Sequence, residues 1–175
     1  MVPKLKLTYF DFHGGRGEPA RLALSMAGIP FEDDRVSPSD WERRKPNTPF
    51  GGLPVLEVDG QTLAQSNAIN RYVGKITDLY PTDAWQAAFC DEAMEAVEDI
   101  STKLAATFFL PEQEKKAQRK ALVDGPLPFY LGRLQQRLEA HGGHALTREV
   151  TLSAARCFHP HPGPPLTRKI DYATA

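Results

Sequence analysis

Apolar and polar positions alternate from Leu5 to Phe10 (LKLTYF), and the run carries β-formers, which predicts a short strand. A glycine-rich turn, His13-Gly14-Gly15, follows it. Glu18-Pro19 then opens a helix, with the proline in the first turn, where its missing N–H does no harm. Leu22, Leu24, Met26 and the alanines between them fill that helix, and Gly28 closes it. Phe31 to Val36 reads as a second strand. Strand, helix and strand within about 35 residues make a βαβ unit with parallel pairing. Ser37 to Phe50 is polar and punctuated by Pro38, Pro46 and Pro49, so the pattern predicts a loop with room for one helical turn. Leu53 to Val58 is a third strand, and Asp59-Gly60 is a strong hairpin signal before a return strand at Thr62 to Ala64. Ser66 is placed to cap a helix running to about Thr77, with Ala68, Ile69, Tyr72 and Val73 inward.

The pattern changes after a short linker at Tyr80-Pro81-Thr82-Asp83. Trp85, Phe89, Ala93, Ala96, Val97, Ile100 and Leu104 recur at helical spacing and predict one long amphipathic helix to about Phe109. Further helices are expected at about 112–123 and 127–141, with Pro126 and Pro128 breaking the path between them and His141-Gly142-Gly143 ending the last. Beyond His144 the periodicity is lost, and the run His159-Pro160-His161-Pro162-Gly163-Pro164-Pro165 fits neither helix nor strand. The expected organisation is an α/β unit over residues 1–80, an incomplete all-α unit over 84–143, and an irregular tail over 144–175.

Composition narrows the function classes. The 175 residues include 21 basic and 22 acidic side chains, a net charge of -1, which supplies no electrostatic reason for a nucleic-acid or anionic-membrane partner. Cys90 and Cys157 are far apart and outside any CxxC or metal-spaced pattern, so a reducing compartment fits better than a disulfide framework. No apolar stretch of signal-peptide length follows Met1, and no segment approaches the roughly 20 apolar residues of a membrane span; the expectation is a cytoplasmic protein. The five histidines show no ligand spacing, so no metal and no cofactor are expected.

Five strings, in order, carry a family resemblance: Leu7-Thr8-Tyr9-Phe10, Arg16-Gly17-Glu18-Pro19, Phe50-Gly51-Gly52-Leu53-Pro54-Val55-Leu56, Asp59-Gly60 and Gln65-Ser66-Asn67-Ala68-Ile69. Through them residues 4–143 resemble a glutathione transferase of the sigma-like, tyrosine-type class. The resemblance implies a thioredoxin-like domain followed by an all-helical domain, glutathione as co-substrate, a small electrophile as second substrate, and a homodimer.

The chemistry is that of thiol ionisation. A free thiol titrates near pH 8.5, so glutathione is a weak nucleophile at neutral pH. Lowering that value by ~2 units requires ~2.7 kcal/mol of preference for the thiolate, within reach of one charge-assisted hydrogen bond and favourable local fields. By resemblance Tyr9 is the catalytic donor, with Phe10 beside it in the glutathione site. Arg16 would lie near the sulfur and keep Tyr9 or the thiolate ionised, although the turn before it is one residue longer than in the animal sigma form. Leu53 would precede a cis Pro54 and offer its N–H and C=O to the cysteinyl backbone, like a short added strand. Gln65 and Ser66, at a helix N-terminus, would receive the γ-glutamyl carboxylate. Trp41 and Lys45 would hold the glycyl end. Asp99 would reach across the dimer to the γ-glutamyl ammonium. Plainer readings stand beside these: Tyr9 as a packed strand aromatic, Pro54 as a trans proline at a strand start, Ser66 as a simple N-cap, Lys45 as solvated, and Glu95 and Glu98 as a solvated face.

The end of the chain departs from the resemblance. Thr147-Arg148-Glu149-Val150 lacks the Asp of the family's next capping motif, and prolines follow. Residues 144–175 are therefore expected to derive from a frameshift, retained intron or alternative splice, leaving a smaller core. Three functions follow. The first is conjugation of glutathione to an electrophilic carbon. The others are a glutathione-dependent isomerase and a non-catalytic variant that binds glutathione or dimerises. A thiol-disulfide oxidoreductase is disfavoured, because positions 9–19 contain no cysteine.

Overall fold

The structure, a computed structural model, describes residues 3–140. Strand β1 (Leu5–Phe10) leads to helix α1 (Glu18–Met26) and strand β2 (Glu32–Val36). Helix α2 (Pro38–Arg44) and a 3-10 turn (Lys45–Asn47) precede strands β3 (Val55–Val58) and β4 (Gln61–Ala64) and helix α3 (Ser66–Ile76). Helices α4 (Ala84–Ala105), α5 (Glu112–Asp124) and α6 (Pro126–Ala140) complete the described chain. The fold is the α/β unit followed by helices that the pattern of apolar positions predicts, and it matches the thioredoxin-like and helical order that the family resemblance implies.

One sheet has the order β2-β1-β3-β4. β1 runs parallel to β2, and β3 is antiparallel to both β1 and β4. Odd positions of β1 share one face, because successive side chains in a strand alternate. Leu5 and Leu7 on that face join Ala20, Ala23 and Leu24 of α1, Leu56 of β3, and Ile69 and Val73 of α3 in a fully buried cluster. Each large apolar member contributes roughly 1.5–3 kcal/mol relative to an exposed position. Tyr9 is the next odd position, so the strand period that builds the core also sets the direction of the tyrosine.

Helix α1 ends as its glycine predicts. Gly28 sits at φ +66 and donates to Ser25 O, while Ile29 N–H donates to Leu24 O. These are the two bonds of a Schellman stop, and Ile29 packs back on the core. Asp59 and Gly60, both at positive φ, make the expected hairpin, and Asp59 exchanges two bonds with Lys4.

Several boundaries differ from the sequence pattern. Residues 37–50 hold a two-turn helix rather than a loop. Ser37 accepts from Asp40 N–H as N-cap, Pro38 stands at the first helical position, and Arg43 and Arg44 oppose the dipole at the C-terminus. β3 starts at Val55, not Leu53, since its ladder with β1 begins at the Thr8–Val55 pair. α4 stops at Ala105 instead of Phe109. Thr107, fully buried, turns its hydroxyl onto Leu104 O and accepts from Arg119 Nε, which ends the helix four residues early. Pro126 opens α6 directly after α5, and only Gly125, at φ -124 and ψ -99, interrupts the two. The expected stop at 141–143 and the tail at 144–175 lie outside the described residues. Among the described residues no helix is long and apolar enough to cross a membrane.

Candidate active site

The sheet register brings the predicted residues to one edge. Thr8, Val55 and Ala64 form a row across β1, β3 and β4. One step further along these strands stand Tyr9, Pro54 and Gln65. Three segments far apart in sequence therefore meet at a single end of the sheet, where the strands give way to α1, to the Leu53–Pro54 bond and to the N-terminus of α3.

Tyr9 is 5 % exposed, and its ring is wedged against the start of α1. A β-carbon at Gly17 would stand 2.5 Å from Tyr9 Cγ, and one at Gly15 would stand 2.5 Å from the hydroxyl. The backbone thus approaches the ring as closely as only glycine allows. Arg16 N–H donates to Tyr9 Oη at 3.0 Å. A phenol oxygen has one proton to give and lone pairs to accept with. The amide fills an acceptor position, which leaves the O–H to donate outward.

An aromatic cluster adjoins the Tyr9 ring. Phe10 meets Tyr9 edge-on at 5.5 Å between centroids and meets Trp41 edge-on at 5.3 Å. Phe12 lies 5.5 Å from Tyr9 and stacks with Phe10 at 6.2 Å. Lys45 follows Trp41 by one helical turn, is exposed, and lies over the Gly51 bend.

Arg16 differs from its expected placement. Its backbone, not its guanidinium, is what touches the tyrosine oxygen. The guanidinium bonds Glu98 of α4 through Nε at 2.9 Å and reaches Thr102 Oγ1 at 3.1 Å. That bond, with the carboxylate charge, raises the pKa of Arg16 above the ordinary guanidinium value. Glu98 is accordingly no solvated residue, whereas Glu95 is exposed, as a solvated face implies, and also pairs with Arg71 of α3 at 2.9 Å.

The Leu53–Pro54 bond is cis. Among the described residues no hydrogen bond engages the N–H or C=O of Leu53. At α3 the cap is Gln65 rather than Ser66. Gln65 sits at φ 73 and ψ 118, and its C=O accepts the first helical bond from Ile69 N–H. Ser66 is the first helical residue, and no side chain caps the end, so its N-terminal N–H groups remain open to an anion. A glutamine in that conformation stores of order 1–3 kcal/mol of strain, a condition concentrated at binding sites. Asp99 does not join the group within this chain: its carboxylate accepts from Tyr130 of α6 at 3.1 Å, a bond that raises the pKa of Tyr130.

Two neighbours of the site, Phe12 and Arg21, carry no signal in the sequence reading, and Glu98 enters it only as part of a solvated face. Arg21 is the most telling, since it is 5 % exposed. The Glu18-x-x-Arg21 spacing at a helix start could have flagged it, because i,i+3 partners face each other. Cys90 of α4 is buried.

The family model described as the glutathione S-transferase N-terminal domain matches residues 5–75. A glutathione S-transferase of Anopheles gambiae is 32 % identical over 151 residues, 86 % of this chain and 74 % of that protein. Glutathione S-transferase 1 of Ascaris suum is 42 % identical over 128 residues, 73 % of this chain but only 62 % of its own length. Among solved structures, the prostaglandin synthase D of Nilaparvata lugens superposes with a TM-score of 0.80 at 34 % identity, covering 86 % of this chain and 76 % of that one.

Proposed function

Because this chain belongs to the glutathione S-transferase family, we propose that it binds glutathione along the Tyr9–Pro54–Gln65 edge, ionises the thiol through Tyr9, and conjugates it to small electrophilic carbon compounds. The observation that carries this reading is the Arg16 N–H bond to Tyr9 Oη at 3.0 Å. It fills an acceptor position on the oxygen and leaves the phenol proton for another acceptor, the role a sulfur anion would take.

The dimensions agree. From Tyr9 to Gln65 the edge spans two strand spacings, about 10 Å. An extended tripeptide covers about the same length. In this reading the cysteinyl backbone pairs with Leu53 as an added strand. The γ-glutamyl carboxylate meets the open N–H groups of Gln65 and Ser66. Trp41 and Lys45 take the glycyl carboxylate, by indole N–H and by charge. Phe10 and Phe12 present an apolar surface beside the sulfur. In this reading the Tyr9 hydrogen bond, with favourable local fields, supplies the thiolate preference.

The same reading includes a homodimer in the cytoplasm, with Asp99 of one protomer directed to the γ-glutamyl ammonium in the other. Its bond to Tyr130 is exposed and therefore easily exchanged. A second reading, a glutathione-dependent isomerase, is supported by the solved relative named as a prostaglandin synthase. The two differ in stoichiometry, since conjugation consumes free thiol and isomerisation returns it.

Immobilised glutathione should retain the protein, and a generic aryl halide should be conjugated. Tyr9→Phe should still be retained but turn over about 10–100-fold more slowly, the worth of one charge-assisted hydrogen bond. Equal rates for the two proteins would remove Tyr9 from the mechanism. Retention of the wild type without turnover of either substrate class would select a non-catalytic binder.

A further inference from the structure

Arg21 is a buried charge that the mechanism above does not use. It lies in α1, three residues after Glu18. Its Nε donates to Asp33 of β2 at 2.8 Å, and its Nη1 reaches Phe12 O and the Glu18 carboxylate, both at 3.4 Å. Nη2 is buried and has no hydrogen-bond partner among the described residues. The central carbon of the guanidinium stands 5.6 Å from the centroid of the Tyr9 ring. Burying an incompletely satisfied guanidinium is unfavourable, and an apolar residue of similar volume often serves stability as well or better. Stability alone therefore gives a weak account of an arginine here.

We propose that Arg21 is a positioning residue for Tyr9, whose guanidinium lies over the ring, draws on its π density and makes the hydroxyl a stronger donor to the sulfur of glutathione. A cation on the ring face is attracted to the π electrons, and withdrawing that density loosens the hold of the phenol oxygen on its proton. Burial keeps solvent from screening the interaction. The other charged groups around the ring come from every neighbouring element. Glu18 is on the same helix, Asp33 and Arg35 are on β2, Arg16 is in the loop and Glu98 is on α4. Arg16 is neutralised by Glu98, and Asp33 is shared between Arg21 and Arg35 at 2.8 Å each. Among the described residues Arg21 lies over the ring at 5.6 Å from its centroid.

The proposal rests on the glutathione reading and is tested in the full chain with bound glutathione. The readout is the ultraviolet thiolate band followed against pH. Arg21→Met should still bind immobilised glutathione but shift the thiolate midpoint upward by about half a pH unit or more, an effect of the size expected for one desolvated cation–π contact. Arg21→Lys keeps a cation and should hold the midpoint near that of the wild type. Asp33→Asn weakens the anchor without removing the charge; it should lower the melting temperature and leave the midpoint in place. An unmoved midpoint in Arg21→Met overturns the proposal. So does an equal shift in Arg21→Lys and Asp33→Asn, which would mean a structural role only. Should Arg21→Met fail to fold, Arg21→Gln removes the charge while keeping hydrogen-bond donors and should show the same upward shift, and its absence overturns the proposal equally. A wild type that binds glutathione without any thiolate band, or does not bind it, overturns the glutathione reading and this proposal with it.

Discussion

Tyr9 owes its position to side chains that are absent. Gly17 has an ordinary φ of -85, so alanine there is conformationally allowed. Its β-carbon would nevertheless stand 2.5 Å from the ring, and the ring must move. Overpacking of this kind costs about 1–3 kcal/mol. Gly17→Ala is therefore expected to lower both the melting temperature and the conjugation rate. Gly28 is the opposite case, with φ +66 and open space around it. Gly28→Ala should cost about 1 kcal/mol through the left-handed backbone and leave turnover unchanged. Melts and initial rates of the two variants check the pair, and equal loss of activity in both would show that contact with Tyr9 is not what matters. The sequence shows that glycines crowd this turn. Why they must be glycines becomes visible only once the ring is seen lying against them.

Helix α4 is laced to the sheet unit by charge. Arg71 of α3 bonds Asp91 at 2.8 Å and Glu95 at 2.9 Å, Tyr80 donates to Asp91 at 2.9 Å, and Arg16 holds Glu98. Burial, and then the bond to Asp91, push the pKa of Tyr80 up to about 12. An unfolded tyrosine titrates near 10. The folded value is the higher, so this contribution to stability is complete below about pH 10 and is lost as pH rises through about 12. Denaturation measured across that window should show a falling alkaline limb, shallower in Tyr80→Phe. The same slope in both proteins would assign the loss to other groups. At this scale the helices and strands were legible wherever period and caps agreed. Helix α2 was hidden by its prolines, although Ser37, Pro38 and Asp40 together spell a helix start. The Ser66 cap was misread because Gln65 takes a backbone conformation that no propensity predicts.

Across the molecule, burial is uneven. The fully buried cluster is drawn from β1, α1, β3 and α3. Helix α5 has no buried residue, and Phe108, Phe109, Phe129 and Leu131 are exposed, Phe109 at 99 %. A cavity of about 240 Å³ opens between α4 and α6, lined by Phe89, Ala93, Phe129 and Leu134 among others. Local opening is easiest where few apolar contacts are broken. Native-state hydrogen exchange should therefore show amides of β1, β3, α1 and α3 exchanging far more slowly than those of α5 and α6. Equal protection would mean that the helices are held by contacts outside residues 3–140.

Read along the chain alone, the sequence specified the order of elements apart from α2, the hairpin at Asp59-Gly60, the stop at Gly28 and the strings that carry the family resemblance. These are local properties, set by periodicity, φ preference and spacing. Tertiary structure decided the rest. It set the row that brings Tyr9, Pro54 and Gln65 to one edge. It gave the Arg16 amide rather than its guanidinium to the tyrosine oxygen, bound Glu98 to Arg16, and turned Arg21 under the Tyr9 ring. Each depends on which strand lies beside which and how closely two backbones approach. No single segment contains that information, because partners up to 86 residues apart must first be folded together.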